Sequence, residues 1–324
     1  MVAFGLGEMP GTDVAAAADV IAGESELVCL PQLPDRGLGS DAVGRTFSLM
    51  PELPIDARAR SWVLTTRPQL STRRLWDRTA ADLDECEATW SRLDALKMQV
   101  VGPWSLAASV ETAAGHRALT DTGALRDITE HLGHAIVRLA DDLRGRFDCS
   151  LQLQIDEPLL QRLAAGAIGG TTQFDPIPAL AAPELGARLK ELIEPLPGFS
   201  AVRLNLSNST VVWDAARGSG ADVIHVAWSA ITSTDQLDAL GHAVSEGTRI
   251  GLGLTLTAET DSRATAQRIA AWWDTLGLER ALLVTAVDIH PLGDLHTRSL
   301  LGAAAALRTA REINDMLVRD AGDL

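Results

Sequence analysis

Arg203, Asn205 and Ser207 stand two apart in the apolar stretch SAVRLNLSNS, so a strand there would turn all three to one face. A guanidinium on that face needs an anion, either a carboxylate of the chain or an acidic ligand that it can hold in bidentate fashion. Similar polar positions recur at the ends of other strand-like runs. SLQLQID closes in Asp156 and Glu157, DVIHVAW carries His225, the residues after ALLVTAV include Asp288 and His290, and the first run ends near Glu8. Carboxylates and imidazoles in such company are general acid and base candidates: Asp156, Asp288, His225 and His290 for catalysis, and Glu8, Asp156, Glu157, Arg203 and Asn205 for substrate binding. Each also has a structural reading. Asp156 could cap a helix, His225 could be a core histidine, and Arg203 with Asp288 could form a buried pair.

To converge, these residues need a scaffold that brings strand ends together. Eight strand-like runs (2–7, 60–66, 97–102, 150–156, 201–207, 222–228, 249–256 and 281–287) alternate with helical patterns, with no low-complexity linker between them. That series predicts an α/β fold, a (β/α)8 TIM barrel spanning 1–324 as a single domain, with the polar strand ends at one mouth. Two long excursions, 28–58 and 166–183, read as lids or functional loops. Ser71 or Thr72, Thr120 and Ser233 or Thr234 stand where helix N-caps are expected.

The composition removes several classes of function. A net charge of −15 disfavours nucleic acid as a partner. No apolar run is long enough to span a membrane, and the N-terminus lacks a basic, then apolar leader, so a cytoplasmic protein is expected. The cysteines, Cys29, Cys86 and Cys149, are isolated, which argues against disulfides and thiolate clusters.

GLGEMPGTD, ELVCLPQLPDRGLGSDAVGR, KMQVVGPWSLAASVE and LQLQIDEPLL occur in the order and with the spacing found in cobalamin-independent methionine synthases, and the chain resembles the short, single-barrel members of that family. The resemblance implies a (β/α)8 barrel, relation to 5-methyltetrahydrofolate:homocysteine S-methyltransferases, a folate co-substrate, and a zinc ion held by one His, two Cys and a carboxylate. Carried over position by position, those four ligands fall on Arg203, Asn205, Ala227 and Asp288, and the family's substrate-amine carboxylate falls on Asp156; Glu8 stands where the family has a serine. The expectation is therefore a divergent relative with no metal and no resident cofactor, binding a small anionic substrate or an amino acid. A metal-free enzyme of the wider barrel superfamily, similar to porphyrinogen decarboxylases, and a non-catalytic binding protein are the alternatives. A substitute metal site built from His225, Asp288, His290 and Asp156 is disfavoured by the fixed charge of Arg203.

Overall fold

The computed structural model describes residues 1–58, 61–90, 92–172, 176–257, 259–293 and 295–320. Among them are ten strands: β1 (Val28–Cys29), β2 (Ile55–Ala57), β3 (Trp62–Leu64), β4 (Ala95–Val101), β5 (Val110–Glu111), β6 (Ser150–Asp156), β7 (Ala201–Asn205), β8 (Val223–Ala227), β9 (Arg249–Leu254) and β10 (Val287–Pro291). The helices are α1 (Val14–Glu24), α2 (Ala42–Ser48), α3 (Leu70–Thr89), α4 (Pro103–Ser109), α5 (Thr122–Phe147), α6 (Leu160–Ala164), α7 (Ala182–Ile193), α8 (Trp213–Gly218), α9 (Thr234–Ser245), α10 (Ser262–Thr275), α11 (Arg280–Ala286) and α12 (Leu300–Asp320). No helix of the described residues is long and apolar enough to cross a membrane.

Seven strands form one curled parallel sheet in the order β1-β4-β6-β7-β8-β9-β10, a half-barrel with helices on its outer side. It is not the closed eight-stranded barrel that the sequence suggests. The expected first strand, 2–7, makes isolated bridges instead of a ladder: Ala3 pairs with Ile289 of β10, and Glu8 pairs with Gln32 just beyond β1. Backbone bonds from Phe4 to Ile289 (3.2 Å) and from Gln32 to Gly7 (2.8 Å) tie this segment to both edges of the sheet.

Three other expectations are corrected. The run 60–66 contributes β3 to a separate three-stranded sheet with β2 and β5, and Arg60 lies outside the described residues. The strand beside β4 is the two-residue β1, hidden in the Pro- and Gly-rich stretch 28–58, which also folds into α2 and β2. The run 281–287 is mostly α11, whose buried residues Leu283 and Ala286 are three apart; a short apolar run does not reveal its period, and the strand follows at Val287–Pro291. Residues 173–175 of the expected second loop lie outside the described residues.

Helix starts also differ in detail. Gln69 caps α3, with Thr72 returning a bond to its backbone, and Asp121 rather than Thr120 caps α5 by accepting from the Gly123 and Ala124 amides. Ser233 caps α9 as expected.

Along β6, β7, β9 and β10 the outward side chains are apolar and meet the helices: Leu151, Leu153, Ile155, Leu204, Ile250, Leu252 and Ile289 are buried in the hydrophobic core. The alternate side chains, pointing into the curl, are largely polar. That second face builds the site.

Candidate functional site at the strand ends

The polar interior has three levels. The deepest is an ion cluster. Arg203 and Asp288 have no exposed surface, and the Arg203 Nη1 donates to Asp288 Oδ2 at 2.8 Å. Arg249, the first residue of β9, donates to both Asp288 oxygens at 2.8 and 2.9 Å, and the Val2 amide adds a fourth bond. The Arg203 Nε donates to Gln152 at 2.7 Å, and its guanidinium lies 4.7 Å from the Phe4 ring centroid. The charge is thus matched inside the protein, and Arg203 does not reach the mouth. Asp288 is equally sealed.

Above this lies an imidazole pair. His225 and His290 stack with ring centroids 5.0 Å apart, both without exposed surface. The room comes from β9: a Cβ on Gly251 would stand 2.5 Å from His225 Cδ2, and one on Gly253 would stand 2.8 Å from His290 Cε1. Burial, together with nearby His290 and Arg203, holds His225 well below the usual imidazole range. Burial likewise pulls His290 down to about 4. Both rings, expected as acid–base candidates, are therefore neutral near pH 7 and enclosed.

The third level is the mouth. Lys97, buried on β4, donates to the Gln154 Oε1 (2.6 Å) and the Leu6 carbonyl (3.3 Å), and burial lowers its amine to about 8. The Gln154 Nε2 and the Asn205 Nδ2 each donate to Asp156 Oδ1 at 2.7 Å. Asn205 is itself held, its Oδ1 accepting from the Ser207 amide (3.1 Å) and hydroxyl (2.6 Å). Burial, only partly offset by Asn205, Lys97 and Gln154, raises the Asp156 carboxyl to about 6. Asp156 Oδ2 accepts no hydrogen bond from the described residues. Asp156 lines a cavity of about 150 Å³ whose polar lining also includes Glu8, Gln32, Asn205 and Asn208. Glu8 faces His296, its carboxylate Oε2 lying 2.9 Å from the ring Nδ1.

Glu157 does not belong to this mouth. It has no exposed surface and accepts from the Trp104 and Ser105 amides, both at 2.9 Å, and from the Ser105 hydroxyl at 2.6 Å. Gly102 leaves the room, since a Cβ there would stand 2.3 Å from Glu157 Oε1. The stretches VGPWSL and IDEP therefore meet because a carboxylate anchors the first amides of α4, and burial pushes that carboxyl up to about 7. Glu157, expected to bind substrate, is engaged in the architecture.

The residues aligned with a thiolate zinc site do not fit that ion. Arg203 is a cation, Ala227 offers no ligand, the Asn205 amide is engaged on both sides, and Asp288 already carries two guanidiniums. The alternative set does not converge either: the histidines stack on one another and Asp288 faces the arginines. Among the described residues no group of three or more His, Cys, Asp or Glu is placed to hold a metal ion. Lys97, Gln154, Gln32, Asn208 and His296 are site residues that the sequence reading passed over. The period-two pattern in KMQ (97–99) and QLQID (152–156) carried the signal for Lys97 and Gln154.

The architecture is an α/β half-barrel with its polar site at the strand ends, the arrangement of a TIM-like barrel. Among solved structures, the chain is similar to a methyltransferase from Methanosarcina mazei, at 14% identity over 96% of this chain and 94% of that one, with a TM-score of 0.52. It is also similar to a B12-independent methionine synthase from Shewanella sp. W3-18-1 in complex with selenomethionine, at 10% identity over 79% of this chain and 70% of that one, with a TM-score of 0.46. No family model matches the sequence, and no curated protein matches it either. At 14% identity the likeness to the Methanosarcina mazei protein establishes the fold.

Proposed function

We propose that this chain is a methyltransferase-like enzyme that holds a small, amine-bearing molecule of amino-acid size at the carboxylate of Asp156. The observation that carries the reading is Asp156 lining the mouth cavity with its Oδ2 unshared, while Oδ1 takes both amide donors. The charged groups among the described lining residues are Glu8 and Asp156, so the mouth favours a cation. An ammonium would sit between them, and the Gln32 and Asn208 amides offer donors to a carboxylate on the same molecule.

The expected anionic ligand rested on Arg203, whose charge is spent on Asp288. With a carboxyl near 6, Asp156 is ionised at neutral pH and close enough to neutrality to accept or return a proton. The order of sequence stretches shared with cobalamin-independent methionine synthases, and the fold likeness to the Methanosarcina mazei protein titled a methyltransferase, support methyl transfer as the reaction class.

A thermal-shift series with methionine, homocysteine, N-acetylmethionine and simple dicarboxylates tests the binding half. The free amino acids should raise the melting temperature, N-acetylmethionine should not, and Asp156→Asn should abolish the rise. Stabilisation by dicarboxylates alone would overturn the cationic reading. Incubation with methyl donors and thiol or amine acceptors tests the reaction. Amino-acid binding without methyl transfer would leave a binding protein on an enzyme fold.

A further inference from the structure

A second cavity lies apart from the Asp156 mouth. It is a cleft of about 780 Å³ between the ends of β8 and β9 and the first turns of α10. Its size is that of a ligand site, and it opens at the carboxyl ends of the strands, where barrels place their sites. We infer that this cleft is a second binding site, for a flat aromatic carboxylate.

Two aromatic walls give the first half of that inference. Trp228 and Trp272 both line the cleft, their rings inclined at 68° with centroids 6.0 Å apart, which offers aromatic surface to a planar ring. A cationic side chain gives the second. The exposed Arg268 guanidinium lines the cleft and lies 5.1 Å from the Trp228 ring centroid. Stacking uses the face of a guanidinium and leaves its N–H edge free for a bidentate anion. The indole N–H of Trp272 is buried without an acceptor. A guanidinium beside two indole rings calls for a ligand that carries both a ring and an acceptor group.

Glu259 and Asp261 also line the cleft and oppose an anion there. Asp261 is engaged, its Oδ1 accepting from the Ala264 amide at 2.9 Å as the cap of α10. Glu259 is exposed, so its repulsion is screened by solvent, and its removal should tighten the complex.

Isothermal titration calorimetry with 2-naphthoate as the probe, on the full chain, tests the site. Wild-type protein should bind it, Arg268→Gln should weaken binding at least tenfold, and Glu259→Gln should strengthen it several-fold. Asp156→Asn should leave it unchanged, which separates this site from the mouth. Arg268 and Glu259 are exposed, so both variants should fold with unaltered circular dichroism. Failure of wild-type protein to bind 2-naphthoate, equal binding by Arg268→Gln, or a preference for 2-naphthylmethylamine that Glu259→Gln weakens would overturn the inference.

Discussion

Arg203 and Asp288 lie 85 positions apart in the chain and meet at 2.8 Å with neither exposed. Taking either partner away leaves the other charge buried in a poorly solvating interior. Asp288→Asn should therefore lower stability by about 3–5 kcal/mol in urea unfolding. An unchanged midpoint would mean that Arg203 finds another anion. The sequence shows that Arg203 needs a negative partner, but whether that partner is Asp288 or a ligand depends on depth along the strand. Arg203 is two positions before the end of β7, and Asp288 is the second residue of β10, so both sit low in the curl. Strand parity reveals which face a residue shares, and it is silent on height.

At the scale of the element, β9 shows how small residues make a site possible. RIGLGL places Gly251 and Gly253 on the inward face, opposite the His225 and His290 rings. A methyl group at 251 would press into an imidazole that has no space to withdraw, so Gly251→Ala should cost about 1–3 kcal/mol. Gly241 in α9, where nothing stands within 4 Å of an added Cβ, is the control. Gly241→Ala should be neutral or stabilising by up to about 1 kcal/mol, through helix propensity. Denaturant midpoints of the two variants check both. Parallel strands with polar inward faces were legible at 150–156, 201–205 and 223–227, where the alternation is regular. A strand of two residues has no alternation to read, which is why β1 was invisible, and the apolar run before β10 concealed α11.

For the molecule as a whole, the buried imidazoles couple stability to pH. His290 has a folded value near 4, below the ordinary 6.5, so the neutral ring is the form that the fold accepts. Its contribution is complete above about pH 6.5 and is lost as the pH falls toward 4, because the unfolded chain takes up the proton first. Asp156 acts in the opposite sense: its carboxyl is raised from 3.8 to about 6, so folding is penalised as the pH rises through that window. Glu157, raised to about 7, acts in the same sense as Asp156, so the test is the difference between proteins: between pH 7 and pH 4.5 the urea resistance of His290→Gln should change more favourably than that of wild-type protein. Parallel acid profiles for the two proteins would remove the imidazole pair as the cause.

The same carboxyl governs the mouth. Asp156 must be ionised to hold an ammonium, so affinity for an amine-bearing ligand should rise with pH and level off above about 6. Calorimetric titration of methionine from pH 5 to pH 8, on wild-type protein and Asp156→Asn, measures this directly. The geometry predicts a rise with its midpoint near 6 in the wild type and weak, pH-independent binding in the variant. Affinity that falls as the pH rises, or a variant that binds as tightly as wild type, would contradict it.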